Sequence, residues 1–339
     1  MTKDKETLLV TGGLGFIGSN LAKRLCNKFK MVIIDFNKPP KPEKIIEDLR
    51  QKGIEIIISD ISSPYTWKEI PECKYIFHSA AQVAAELSWE ELDLDFQTNI
   101  YGTLLVAEYA RRNNSQVIYC NTIRVYDPDA IEVAMKKHSK VSEECATIEV
   151  STKPQPPYAL SKHLGEYILR SYSRMYGLNV ISHRMSGIVG AGQIGSKTHG
   201  WLSNIVRCAV NQEKFPIFGD GNQSRDVMHV AELIDIIESE LQDFKKFSED
   251  GFAVYNVGGG PENELSINQV IEMLKTDFSY KMEVKKANAR IGEPISYATD
   301  IGKIRGKGWH SDISGYKRII KELIKWYEEE KGNGGRRNF

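Results

Sequence analysis

The chain has 339 residues, of which 41% are hydrophobic, enough apolar material for a sizeable core and for α/β architecture in one compact unit with a smaller lobe. Lys plus Arg equals Asp plus Glu at 45 each, so no net field draws nucleic acid or an anionic membrane, and an anionic ligand has to be held by local groups. Five scattered cysteines (Cys26, Cys73, Cys120, Cys145, Cys208) without a CxxC pair argue against a disulfide framework and a metal site, and the absence of a signal-type segment or of an apolar run of ~20 residues leads to the expectation of a soluble, cytoplasmic protein.

In chain order, Thr7–Val10, Met31–Asp35, Glu55–Ser59, Tyr75–His78, Val117–Tyr119 and Asn179–Ser182 are short β-branched runs. Such runs suit strands buried on both faces of a parallel sheet. Between them lie stretches of helical period: Phe16, Ile17, Leu21 and Leu25; Leu104, Leu105, Ala107 and Ala110; Leu164, Ile168, Tyr172 and Met175 before Gly177. Strand alternating with helix predicts a Rossmann-type, doubly wound parallel sheet over residues 1–184. Residues 185–330 are expected to form mainly a smaller, substrate-binding lobe, with a crossing back to the first domain left open, and 331–339 a flexible tail. In that second part a glycine-rich loop over Gly187–Gly200 precedes helices over Asn204–Val210, Glu232–Leu241, Leu265–Leu274 (with Ser266 as cap) and Ile313–Glu330, and a strand over Ala253–Val257.

The segment LLVTGGLGFIGSN sets Gly12, Gly15 and Gly18 between the first strand and the first helix, which Phe16 and Ile17 open. Glycines there allow a tight turn and let backbone approach a pyrophosphate, and the helix start offers free N–H groups to it. Asp35, ~20 residues on at the end of the second strand, suits a ribose diol and repels a 2′-phosphate, favouring NAD over NADP. Further along, Tyr158 and Lys162 in PPYALSKHLGEY stand four apart and so share a helix face. An ammonium beside a phenol whose pKa is normally ~10 favours phenolate, which suits a general base. Thr122, in VIYCNTIRVYD, supplies a hydroxyl after a strand.

The TGGxGFIG spacing with these groups in order resembles the extended short-chain dehydrogenase/reductase family, from about Leu8 to Lys303. The resemblance implies a catalytic set of Thr122, Tyr158 and Lys162, with Lys162 also holding the nicotinamide ribose. It implies NAD contacts from Gly12, Gly15, Phe16, Ile17, Gly18, Asp35, Asn37, Asp60 and Ile61. Ala80, Ala81, Gln82, Asn99, Tyr158 and Lys162 complete that set. Dehydratase relatives carry an Asp-Glu pair directly after the threonine, whereas this chain has Ile123-Arg124, so elimination lacks its acid–base pair and epimerisation, which needs none, is favoured.

Within that family the chain most resembles the CDP-tyvelose epimerase (CDP-paratose 2-epimerase) group. The matching residues are Ala80-Ala81-Gln82-Val83-Ala84, Thr122-Ile123-Arg124-Val125-Tyr126, His199-Gly200-Trp201, and Gly221, Asn222, Arg225, Asp226, Val227 and His229. The resemblance implies a C2 epimerase of a nucleotide-linked deoxysugar, held by Gln82, Thr122, Arg124, Trp201 and Arg225. It also implies a homodimer built on the helices around Phe96–Arg112 and Tyr158–Met175. The chain departs from the pattern at Ile295, where a diphosphate-binding arginine is usual, at Val189 in place of tyrosine and at Asp127 in place of glycine. Diphosphate binding then rests on Arg225 and a shifted Arg290. A UDP-sugar 4-epimerase and a net NAD-linked sugar oxidoreductase remain alternatives. A non-catalytic NAD-sensing binder is disfavoured, because Tyr158 and Lys162 are both present.

Overall fold

A computed structural model describes residues 5–36, 43–288, 294–309 and 315–332. The chain divides into two compact units: residues 1–125, 157–184 and 234–255 form the first, and residues 126–156, 185–233 and 256–339 the second. The chain passes between them at 125/126, 156/157, 184/185, 233/234 and 255/256.

The first unit is built on strands β1 (Thr7–Thr11), β2 (Lys30–Asp35), β3 (Glu55–Ile58), β4 (Tyr75–His78), β5 (Gln116–Thr122) and β6 (Val180–Met185), joined by the strand Phe252–Val257. Their order across the sheet is Phe252–Val257, β6, β5, β4, β1, β2, β3. The pairs β1–β2, β2–β3, β1–β4 and β4–β5 are parallel, with Val10 opposite both Ile33 and Phe77. Leu8, Leu9 and Val10 are fully buried, as a central strand covered on both faces requires. The chain winds from β1 outward through β2 and β3, then returns to the other side of β1 at β4. The carboxyl ends of β1 and β4 are therefore the topological switch point, where open α/β sheets bind ligands. One face of the sheet carries Leu9, Val32, Ile34, Ile76, Val117 and Val180, packed with Val106, Ala107, Ala110 and Leu169.

The helix expected over 96–112 is interrupted. A short helix Leu92–Phe96 runs into a π-turn, Gln97–Tyr101, and only then into the helix Gly102–Asn113. The extra residue per turn is a local feature that apolar spacing does not report, and such bulges recur at functional sites.

In the second unit Ser224–His229 is the central strand, flanked antiparallel by Glu264–Ser266 and parallel by Ser296–Tyr297, with Gly187–Val189 also paired to it. Phe215–Phe218 pairs separately with Val284–Ala287. The helices Trp201–Asn211, Ile267–Thr276 and Tyr316–Gly332 bury Leu202, Ile205, Val206, Val270, Leu274, Ile320 and Leu323 in one core. Ser266 caps its helix as expected, in a full capping box with Gln269. Asp127, a departure from the family pattern, caps a helix that periodicity did not indicate, Pro128–His138: its Oδ1 accepts from the Ala130 N–H at 2.9 Å. Of that helix only Ile131 is fully buried, so it carries no apolar stripe to read. Among the described residues no helix is long and apolar enough to cross a membrane.

Candidate active site

The turn after β1 is formed by backbone demands. Gly12 has φ +71°, and a Cβ there would stand 2.7 Å from the Ala80 nitrogen. Only glycine meets both conditions. The Gly12 N–H donates to the Ile34 carbonyl (2.8 Å) and Gly15 closes the turn on the Gly12 carbonyl (3.0 Å). Phe16, Ile17 and Gly18 form the first turn of the helix Phe16–Leu25, which carries no acidic residue and no side-chain cap. Its N-terminal N–H groups are thus left for an anion. A Cβ on Gly15 would meet only the Gly12 carbonyl oxygen within 4 Å, so that side of the turn can admit a ligand closely. Asp35, buried at the end of β2, accepts from the Leu14 N–H at 2.8 Å, which fixes its carboxylate at the rim of the turn. These donors and this carboxylate fit a dinucleotide with free ribose hydroxyls.

Asp60 and Ile61 follow β3. The Asp60 Oδ1 accepts from the N–H and hydroxyl of Ser62, both at 2.8 Å, and the Ile61 carbonyl accepts from Trp67 Nε1 (2.9 Å), so both residues are held firmly. Ala80 and Ala81 follow β4. The Ala80 N–H donates to Thr11 Oγ1 (3.2 Å), tying the end of β4 to the end of β1. Gln82 spends its side-chain amide on its own loop, donating to the Ala84 carbonyl (3.1 Å) and accepting from the Ala84 N–H (2.7 Å). Asn37 lies outside the described residues.

Thr122 ends β5. Tyr158 and Lys162 lie on the helix Pro157–Tyr176, whose start is pinned from far along the chain: the Tyr158 N–H donates to Ser88 Oγ at 3.1 Å, and Ser88 donates to the Ala85 carbonyl at 2.7 Å. Thr122 and Arg124 both act on the Tyr158 phenol, and both favour its ionisation. The expectation that Lys162 lowers the phenol's pKa is corrected by the structure. Burial pushes Tyr158 up to about 12, Thr122 and Arg124 oppose that rise, and the charges of Asp95 and Cys120 add to it. Lys162 is itself buried, which brings it down to about 8, and its Nζ sits 4.1 Å from the centroid of the Tyr119 ring. Ring and helix approach closely because residue 165 is glycine, whose Cβ would lie 2.4 Å from the Tyr119 hydroxyl.

Asn99, which the resemblance indicated, anchors a second layer whose other members, Asp95, Ser161, Thr103 and Thr11, went unread in the sequence. Asn99, in the π-turn, accepts from the Gln82 N–H (2.9 Å) and shares its amide N–H groups among the Gln82 carbonyl (3.1 Å), Asp95 (3.1 Å) and Ser161 (3.0 Å). His78, fully enclosed, is driven down to about 3 by burial, with Lys162 adding, and is neutral. Its Nε2 lies 3.0 Å from Thr103 Oγ1, whose proton goes to the Asn99 carbonyl, so Nε2 carries the imidazole hydrogen and Nδ1 accepts from Thr11 at 2.7 Å. This chain of bonds joins the glycine-turn strand to the Asn99 turn. Its members are buried polar residues at strand ends and in an irregular helix, and their only sequence signal is polarity within apolar runs.

Asp95, wholly buried and held above the usual carboxylate range by burial, opposes ionisation of Tyr158. Asp95→Asn should therefore ease loss of the phenol proton. The base limb of the pH profile of kcat/KM is expected to move to lower pH, with turnover at the optimum changed less than about tenfold. A limb that stays in place would show that Asp95 does not act on the phenol.

The second unit carries the remaining substrate candidates. The guanidinium of Arg225 donates to the carbonyls of Ser224 (2.6 Å) and Pro294 (2.6 Å), with Ile295 farther at 3.5 Å, so it also fastens the segment bearing the Ile295 departure. Ile295 itself is exposed. Trp201 opens the helix Trp201–Asn211, and its Nε1 is buried without a hydrogen-bond partner. Arg290 lies outside the described residues. His229 pairs with Glu322 at 2.9 Å and closes its own turn by accepting from the Ala231 N–H.

A parallel sheet with an anion-ready turn and a strand-end carboxylate at its switch point, beside a Thr–Tyr–Lys cluster, defines a Rossmann-type enzyme working with a nicotinamide dinucleotide. The chain belongs to the NAD dependent epimerase/dehydratase family, whose model matches residues 8–258, and NAD is its cofactor. Among curated relatives, CDP-paratose 2-epimerase of Salmonella typhi is 27% identical, covering 94% of this chain and 98% of its own. The human dTDP-D-glucose 4,6-dehydratase is 28% identical over 96% and 90%. A solved structure of UDP-N-acetylglucosamine 4-epimerase from Methanobrevibacter ruminantium M1, in complex with UDP-N-acetylmuramic acid, aligns with a TM-score of 0.82 at 26% identity, covering 97% of this chain and all of that one.

Proposed function

We propose that the protein inverts C2 of a nucleotide-linked sugar, in the manner of CDP-paratose 2-epimerase. The observation that carries epimerisation over elimination is the segment after Thr122, and the choice of C2 rests on the likeness to CDP-paratose 2-epimerase. Ile123 and Arg124 stand where elimination would need two carboxyl groups, and the Arg124 charge bears on the Tyr158 phenol. When bound, NAD supplies a hydride acceptor that later returns the hydride. Tyr158, as phenolate, takes the proton of the sugar hydroxyl while the carbon-bound hydrogen leaves as hydride, giving a keto sugar. Thr122 donates to the same sugar oxygen and orients the phenol. Lys162 would hold the nicotinamide ribose. The keto sugar turns, and hydride and proton return on the opposite face, so nothing is consumed. Gln82, Arg124, Trp201 and Arg225 are assigned to the substrate. The protein is proposed to be cytoplasmic and to act as a homodimer through the helices Gly102–Asn113 and Pro157–Tyr176, the latter exposing Leu160, Tyr167 and Met175.

The test is NMR of a panel of CDP-, UDP-, GDP- and dTDP-sugars, some deuterated at C2 and some at C4. Inversion at C2 with retention of the label is the expected result, strongest for a CDP-deoxysugar. Inversion at C4 of UDP-sugars would instead establish the second reading, which the likeness to the UDP-N-acetylglucosamine 4-epimerase favours. Accumulation of a 4-keto-6-deoxy product would overturn both.

A further inference from the structure

Behind Thr122 the chain uses a side chain whose two ends are both committed. Asn121, almost fully buried, accepts from the Thr122 N–H through Oδ1 at 2.9 Å and donates through Nδ2 to Glu166 Oε2 at 2.7 Å. Glu166 lies on the helix Pro157–Tyr176, about two turns beyond Tyr158 and one beyond Lys162. The same carboxylate accepts from Ser182 Oγ (2.8 Å) and from Arg184 by Nε (3.2 Å) and Nη2 (2.6 Å), both on β6, and from Arg170 (3.2 Å). Three elements are thus drawn to one carboxylate: the end of β5, β6 and the helix bearing the phenol. Burial would raise the Glu166 pKa, but Arg184, Ser182 and Asn121 outweigh it and hold the carboxyl below its ordinary range, so the acceptor is present throughout the neutral range.

We infer that Asn121, anchored by the Glu166–Arg184 ion pair, is a positioning residue that sets Thr122 against Tyr158. The inference rests on the reading of Tyr158 as the base. Without the strap, the backbone at Thr122 loses its side-chain acceptor, and the end of β5 is no longer tied to the helix. Thr122 then drifts from the phenol whose ionisation it assists. The groups acting on that phenol are Thr122, Arg124 and Cys120 of β5 and its following turn and Asp95 of the helix Leu92–Phe96, and Tyr119 of β5 is coupled to it. The variants below leave all of them in place.

Asn121→Ala is compared with two double variants that remove the buried charges together, so that neither is left unpaired. Glu166→Gln with Arg184→Met keeps an acceptor for Asn121, and Glu166→Leu with Arg184→Met removes it. The measurements are retained NAD, kcat, KM and the base limb of the pH profile. Asn121→Ala and the Leu double variant are expected to lose on the order of 10²-fold in kcat, with KM changed far less. Their base limb is expected to move up by about one unit as the Thr122 bond weakens. The Gln double variant is expected to keep the wild-type limb. If Asn121→Ala does not fold, the comparison of the two double variants decides alone, and equal limbs in those two overturn the proposal. Tyr158→Phe is run in parallel. If it keeps turnover, the base lies elsewhere and the positioning role falls with it; if it abolishes turnover while the limbs coincide, the positioning role alone is wrong.

Discussion

Tyr158→Phe is expected to fold, to retain NAD and to lose turnover by about 10³-fold or more, in the upper part of the range general acid–base groups contribute. The helix start does not depend on the phenol oxygen, because its hold on the rest of the unit is the backbone N–H of Tyr158 on Ser88. The ring keeps its volume, and what is lost is the interaction of the phenol oxygen with Thr122, so the stability change should stay at about 1 kcal/mol. The glycine turn, Asp35 and the Asn99 network are untouched, which is why cofactor content should not change. The decisive measurement is single-turnover formation of bound NADH when substrate is mixed with the variant. An undiminished rate would remove Tyr158 as the base, whereas a rate lost with NAD still bound supports it.

The wild-type pH profile belongs to the same argument. With the phenol pushed up to about 12, little phenolate exists at neutral pH, and Thr122 and Arg124 are the groups that favour its ionisation. A spacing of four residues says that tyrosine and lysine share a helix face. It does not say that the lysine would find an aromatic ring, Tyr119, at 4.1 Å, nor that Asp95 would stand among the charges acting on both. Distances across the sheet decide such matters, and local sequence carries none of them.

What the sequence did carry followed from strong local constraints. β1, the glycine turn and the helix Phe16–Leu25 were legible because an apolar run, a left-handed glycine and a helical stripe follow one another within twenty residues. The Ser266 cap was legible for the same reason. The central strand of the second unit, Ser224–His229, was not: it reads SRDVMH, and its buried Asp226 is held by Ser186 (2.5 Å) and the Gly260 N–H (2.9 Å), partners forty and thirty-four residues away. Asn121 and Glu166 were hidden likewise. Each looks like an ordinary polar residue until β5, β6 and the helix Pro157–Tyr176 are packed together.

Lys162→Met is expected to make the fold more stable and the enzyme nearly inactive. Lys162 is only 3% exposed, and burial lowers its pKa from 10.5 to about 8. Below pH 8 the ammonium is charged in both folded and unfolded chains, and the folded chain carries a desolvation cost of about 3 kcal/mol at 1.36 kcal/mol per unit. Between about pH 8 and 10.5 the unfolded chain binds the extra proton, so this group makes stability rise with pH across that window; above it the cost is gone. Methionine has a similar length and no charge, so the variant should gain up to about 3 kcal/mol at pH 7, less whatever the contact with Tyr119 contributed, and gain nothing near pH 11. Denaturant titrations of the NAD-free protein at the two pH values measure the difference. On the proposed function turnover should fall by about 10²-fold or more, because Lys162 is assigned to the nicotinamide ribose. A variant no more stable than wild type at pH 7 would mean that Lys162 is solvated or firmly paired in the free protein, and that its buried charge is not held at a cost to the fold for the sake of the reaction.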